Sequence, residues 1–209
     1  MIVVEEFTVG PFAQHPLVVF DEKSKDAFLV DMGFDTGEID AFIQQNNLNL
    51  IAIYNTHAHI DHVGATVRFQ KKYDIPFYIG EGESIVLDYA PISATQYQFP
   101  FDGKPKVFGE LKDGEQFLLG DYSFSVITTP GHTPGGVCYY CQQAKIVLVG
   151  DTLFAGSIGR TDLPGGDYAT ILNSLEKLKQ LPADTKVYCG HGEQTTIGHE
   201  IATNPFLQK

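Results

Sequence analysis

The 209-residue sequence predicts an α/β fold, with helices packed outside β-sheets, on two observations. Short runs rich in Val, Ile, Phe and Tyr recur along the chain. Each is bounded by Gly, Pro, Asp or Asn, the pattern of β-strands. Between some of them lie segments whose apolar residues repeat at helical spacing. Strand-rich halves separated by helices favour sheets covered on their outer faces.

Taken in order, strands are read at 2–9, 17–20, 27–30, 50–55, 77–79, 123–128, 137–140, 146–149 and 186–189. A helix is read over 36–46, where Ile39, Phe42 and Ile43 share a face. A second follows Asp61 and runs through Val67 and Phe69. A third covers 168–181, with Tyr168, Ile171, Leu172, Leu175, Leu178 and Leu181 as a core-facing stripe. The stretch from Ala90 to Lys106 has several aromatics and no clear period. It is read as a long loop, either a surface connection or a wall over a site.

Bulk properties narrow the function. The length suits one domain, residues 1–209, with a sizeable core. A hydrophobic share of 43% argues against disorder. The net charge of −12 repels phosphate backbones, and the tightest basic run is only Lys71-Lys72, so no nucleic-acid partner is expected. The N-terminus has no basic region followed by a long apolar run, as a signal peptide would. No stretch approaches the roughly 18 apolar residues of a membrane span. Three cysteines fit a reducing compartment better than a disulfide framework. The expectation is a soluble cytoplasmic protein without a membrane partner.

The chemistry is concentrated in Thr56-His57-Ala58-His59-Ile60-Asp61-His62, directly after an apolar strand. In extended chain, alternate side chains share a face, so His57, His59 and Asp61 can converge. His62 falls where the chain turns into a helix and points elsewhere. Such a segment can serve two adjacent centres. Imidazole nitrogens and carboxylate oxygens suit zinc, iron or manganese. Burying so many titratable groups without partners would be costly, which disfavours a merely structural reading.

Three later segments supply further candidates at strand ends. His132 lies in a Gly/Pro-rich turn, Asp151 follows the strand at 146–149, and His191 follows the strand at 186–189. His57, His59 and His132 could hold one metal, and Asp61, His62 and His191 the other, with Asp151 between them. An open position at each centre marks a catalytic rather than a structural site. Thr56, Thr133 and Thr152 adjoin these residues and are candidates to orient them. Cys138 and Cys141 form a C-x-x-C, but residues three apart on a strand face opposite ways, against a mutual disulfide. Cys189 is read as a buried thiol beside the site.

These motifs resemble the metallo-β-lactamase superfamily and, within it, the glyoxalase II group, the hydroxyacylglutathione hydrolases. The resemblance runs in order through THAHIDHVGA, TPGHTPGG, GDTLF, GSIGRTDLPGGD and GHGEQTTIGHEIATNPFL. The last two are similar to short, single-domain bacterial glyoxalase II-like proteins. The resemblance implies a four-layer αββα sandwich of two mixed β-sheets, with metals at one edge between the sheets. It implies the same assignment of His57, His59, Asp61, His62, His132, Asp151 and His191. Asp151 stands where the antibiotic-hydrolysing branch places a cysteine, so β-lactamase activity is not expected. Arg160 matches a basic position that grips the glycine carboxylate of glutathione; its other reading is a structural arginine paired with Asp162 or Asp167. The C-terminal helical domain of longer glyoxalase II proteins has no counterpart in the sequence. Gln14-His15-Pro16 stands where relatives carry an Asn-Cys pair, and His15 is read as an exposed hairpin residue in preference to one that lines the site.

The expected activity is therefore hydrolysis of a small thioester of the S-D-lactoylglutathione type by a bridging hydroxide. Asp61 orients that nucleophile and shuttles its proton. The expected cofactors are two divalent metal ions, zinc first, with iron or manganese as alternatives. Rival activities are a persulfide dioxygenase with a single iron, which the full second ligand set disfavours, and a lactonase. The sequence leaves the oligomeric state open.

Overall fold

The computed structural model describes residues 1–208 and holds two six-stranded sheets. The first sheet joins β1 (Ile2–Glu6), β2 (Leu17–Asp21), β3 (Asp26–Val30), β4 (Asn49–Tyr54), β5 (Phe77–Gly80) and β6 (Val107–Leu111) in sequence order. Its first two pairings are antiparallel and the next three parallel. The second sheet contains β7 (Gln116–Leu119), β8 (Tyr122–Thr128), β9 (Val137–Cys141), β10 (Ile146–Gly150), β13 (Lys186–Cys189) and β14 (Thr195–Thr196). Their spatial order is β14-β13-β10-β9-β8-β7, with only β10 and β13 paired in parallel. A small hairpin, β11 (Leu153–Phe154) with β12 (Ser157–Ile158), follows β10.

Alternation along the strands creates the layers. On β2, Val18 and Phe20 enter one core while Leu17 and Val19 enter another. On β10, Ile146 and Leu148 face that second core, and Val147 and Val149 a third. A strand with apolar residues on both faces is one buried on both faces. The first core takes Ile39 and Ile43 from α1 (Glu38–Gln45), Ile60 and Val63 from α2 (Ile60–Val63), and Phe69 from α3 (Thr66–Tyr73). It also takes Val86, Leu87, Ala90 and Ala94 from α4 (Ser84–Tyr97). The third core takes Leu175 and Leu178 from α5 (Tyr168–Leu178) and Ile197 from α6 (Ile197–Thr203). Three cores between four layers make the αββα sandwich of two mixed sheets that the resemblance implied.

The nine strands read from the sequence are all present, with ends shifted by three residues at most. The stretch 90–106 corrects the loop reading, because α4 continues through Ala90 to Tyr97. Its periodicity is masked for two reasons. Ile85, Tyr89, Ile92 and Tyr97 are apolar yet exposed, and Pro91 lies inside the helix. Only 98–106 is irregular or turn-like. Among the described residues, no helix is long and apolar enough to cross a membrane.

Candidate metal centre

Strand ends deliver most of the site. β8 and β10 are both antiparallel to β9, and β13 is parallel to β10, so the carboxyl ends of all three emerge at one edge. His132, Asp151 and His191 follow those ends. β4, in the facing sheet, leads into His57 and His59. His59 is extended, with φ −62° and ψ 154°, and α2 starts at Ile60. Asp61 therefore sits on the first turn of a helix rather than on extended chain, next to His62.

The predicted side chains form two groups, and a third set, Asp31 with His57 and His62, joins one residue of each. Donor atoms of His57, His59 and His132 all lie within 4.8 Å of one another, as do those of Asp61, His62 and His191. Asp151 lies between them. Its Oδ2 is 3.7 Å from His132 Nε2 and 3.5 Å from His191 Nε2, and its Oδ1 is 3.4 Å from His62 Nε2.

Four of the five imidazoles are anchored at Nδ1. His132 donates to the Arg160 carbonyl at 2.7 Å, and His191 to the Phe12 carbonyl at 3.1 Å. His62 Nδ1 is 3.0 Å from Asp31 Oδ2. His57 Nδ1 is 3.1 Å from Thr56 Oγ1, and that hydroxyl donates to Asp31 Oδ2 at 2.6 Å. A proton held at Nδ1 by an acceptor leaves the lone pair on Nε2, the arrangement that orients metal-ligating histidines. Among the described residues, the buried Nε2 atoms of His57 and His132 and Oδ1 of Asp151 have no hydrogen-bond partner. The Nε2 atoms of His62 and His191 face each other at 3.4 Å. Orphaned lone pairs converging in a buried space are costly without a cation. The donor set thus fits a binuclear metal site.

Electrostatics agree. Burial, with neighbouring imidazoles, pushes His57 well below the ordinary histidine value and His59 down to about 3. Burial also lowers His132, against the pull of Asp151. These three are neutral at pH 7, with lone pairs free to coordinate. Burial would lower His62 too, but the carboxylates of Asp151, Asp61 and Asp31 outweigh it and lift it to about 10. Burial would raise Asp61, yet His62 and the His191 contact hold it well below the usual carboxylate range. One half is poised to accept a cation, and the other is acidic enough to hold positive charge.

The remaining predicted residues divide. Arg160 has an exposed guanidinium clamped on both oxygens of Asp162, at 2.7 and 2.8 Å. Its backbone carbonyl is what touches the cluster, through His132. Of the threonines, Thr56 is the one in contact with a candidate ligand, its hydroxyl 3.1 Å from His57 Nδ1. Thr152 bonds Thr129 at 3.0 Å, and the Thr133 hydroxyl makes no hydrogen bond to a candidate ligand. His15 corrects the exposed-hairpin reading, since it is only 8% exposed. The hairpin folds against the last strand-end loop, where His15 N–H donates to Gly190 O at 2.8 Å. Cys138 and Cys141 are free and face different cores; Cys189 is buried, its thiol pushed up to about 12 by burial.

Three supporting residues escaped the sequence reading. Asp31, at the end of β3, carried the same strand-end signal as Asp151. Asn55 donates from Nδ2 to the carbonyls of His57 and His62, at 3.0 and 2.9 Å. Glu83 accepts from Ala58 N–H and Gly135 N–H, both at 2.8 Å. Burial raises its carboxyl to about 7, against those two amides and the neighbouring Thr133 hydroxyl. Their partners lie far off in the chain or on its backbone, where no local motif shows them.

This fold and this cluster define a metal-dependent hydrolase. Residues 10–191 match the model of the metallo-β-lactamase superfamily, and the chain belongs to that superfamily. It is 34% identical over 212 residues to the hydroxyacylglutathione hydrolase GloC of Haemophilus influenzae, covering 98% of this chain and 97% of that one. The crystal structure of TTHA1623 in a di-iron-bound form is similar at a TM-score of 0.89 and 36% identity, over 98% and 100% of the two chains. The crystal structure of the B3 metallo-β-lactamase BLEG-1 is similar at 0.91 and 36%, over 99% and 100%.

Proposed function

We propose that the protein hydrolyses a small S-acyl thioester of the S-D-lactoylglutathione type. The observation that carries this reading is the pair of donor groups with the Asp151 carboxylate within 3.7 Å of both. His57, His59 and His132 would hold one divalent cation and Asp61, His62 and His191 the other, with Asp151 serving both. Zinc suits the donors, and iron is supported by the di-iron relative. Such a pair of cations supplies an acidified water and polarises a carbonyl.

The chain's own residues do the rest. Asp61, with Oδ2 3.3 Å from His191 Nε2, faces the common space, orients the attacking water and takes its proton. Arg160 presents a planar fork at the mouth, and a substrate carboxylate would exchange with Asp162 on it. The Phe12 ring, whose backbone carbonyl meets His191, packs on Phe99 at 5.5 Å and on Tyr97 at 5.9 Å, an apolar cluster beside the site. Similarity to GloC along the whole chain supports a thioester of a carboxylate-bearing thiol. A cytoplasmic setting and a small-molecule partner complete the reading.

Hydrolysis of a lactam is a second reading, raised by the likeness to BLEG-1 against the expectation drawn from Asp151. Metal-loaded protein should be assayed against S-D-lactoylglutathione, other thioesters, lactones, β-lactams and, with oxygen uptake, glutathione persulfide. Thioester turnover should dominate, and Asp61→Ala should lower kcat by about 10²–10⁴-fold. Arg160→Met should raise KM with kcat little changed, the signature of lost binding shared by the ground and transition states. Metal-loaded protein inert towards every thioester contradicts this substrate class.

A further inference from the structure

His59 is the exception among the five clustered histidines: among the described residues it alone makes no side-chain hydrogen bond. Its position rests on its backbone. His62 N–H and Val63 N–H donate to its carbonyl at 2.9 and 3.2 Å, which fixes the side facing α2. The other side is fixed through Ala58, whose N–H donates to Glu83 Oε1 at 2.8 Å. Oε2 of the same carboxylate accepts from Gly135 N–H at 2.8 Å, in the turn that carries His132. One carboxylate therefore ties together the two loops that carry His57, His59 and His132.

The surroundings are shaped for this bond. Glu83 is fully buried, and both its oxygens are met by backbone amides rather than by a cation. A carboxylate so placed costs folding energy and is a poor choice for stability alone. The backbones approach so closely that a Cβ at Gly135 would stand 2.3 Å from Glu83 N. A Cβ at Gly80 would stand 2.0 Å from Gly135 O. Glu83 also opens α4, accepting Val86 N–H and Leu87 N–H at its carbonyl at 3.0 and 3.1 Å. Its side chain is held from a rigid helix start rather than from a loop.

We propose that Glu83 is a positioning residue that sets the first histidine group in metal-holding register before a cation arrives, chiefly by fixing His59. The proposal rests on the binuclear reading above. Pre-set ligands spare a cation the cost of ordering two loops, so the gain falls on affinity at this group. The second group has its own anchors, Asp31 for His62 and Phe12 for His191, and does not depend on Glu83.

Glu83→Gln tests this, because the isosteric amide must turn an N–H₂ towards one of the two N–H groups. Cobalt(II) titration of metal-free protein, followed by visible absorption, reads both centres; His191→Ala assigns the band left by the first group. Wild type should bind two equivalents. Glu83→Gln should bind one as tightly as wild type and the other about tenfold more weakly or worse, with loss of the first-group band. Equal binding of both equivalents, or equal weakening of both, overturns the proposal. Wild type that binds fewer than two equivalents overturns the binuclear reading instead. Amide exchange in chelated wild-type protein needs no variant: Ala58 N–H and Gly135 N–H should be as protected as with metal. Free exchange there until metal is added also overturns the assignment.

Discussion

Asp31 Oδ2 stands 3.0 Å from His62 Nδ1 and accepts the Thr56 hydroxyl, which in turn meets His57 Nδ1. One buried carboxylate at the end of β3 thus aims a histidine of each donor group. Asp31→Asn keeps the shape and removes the charge that fixes both tautomers. Metal affinity should fall by about 10–100-fold, measured by competition with a chelator of known strength. Unchanged affinity would show that these histidines are aimed by other contacts.

Asn55 is fully buried and spans the ligand segment by bonding the carbonyls of His57 and His62. Asn55→Ala leaves both carbonyls unpaired. Unfolding in urea should show a loss of about 2–3 kcal/mol, the cost of orphaning buried acceptors. A loss within about 0.5 kcal/mol would mean that the loop relaxes onto other donors.

Two glycines near each other should respond differently to the same change. At Gly33 a Cβ would lie 1.4 Å from the Asp61 carbonyl oxygen, so Gly33→Ala must push α2 away from β3. The expected cost is about 3 kcal/mol or more, together with lost metal binding. Gly37 has φ 82° and open space around it. Gly37→Ala should cost only the left-handed backbone penalty, about 1–2 kcal/mol. Thermal melts of the two variants compare them directly; similar shifts would refute the steric argument.

The three cysteines should remain thiols. Cys138 packs beside α5 and Cys141 between the sheets, so their sulfurs face opposite layers. Thiol titration after non-reducing denaturation should give three per chain. One per chain would indicate a disulfide that this geometry forbids.

What the sequence revealed, and what it hid, follows from distance along the chain. His57, His59, Asp61 and His62 crowd six positions, so their chemistry is visible before any folding. His132, Asp151 and His191 were legible because each directly follows an apolar strand. Glu83 was not, since its carboxylate acts on amides 25 and 52 residues away. α4 was hidden because its exposed Ile85, Tyr89 and Ile92 blur the contrast between faces on which a helical period depends. The edge strands β6 and β7 were hidden for a similar reason, with Phe108 and Leu118 apolar but turned to solvent. His15 looked exposed because the loop its hairpin meets, at Gly190, lies at the far end of the chain.

The most direct test is anomalous diffraction from crystals grown with zinc or iron, recorded at the edge of that metal. Two peaks per chain are expected, one among His57, His59 and His132 and one among Asp61, His62 and His191, with Asp151 reaching both. A map with no peak in either group, or with its only peaks at surface carboxylates, would contradict the account.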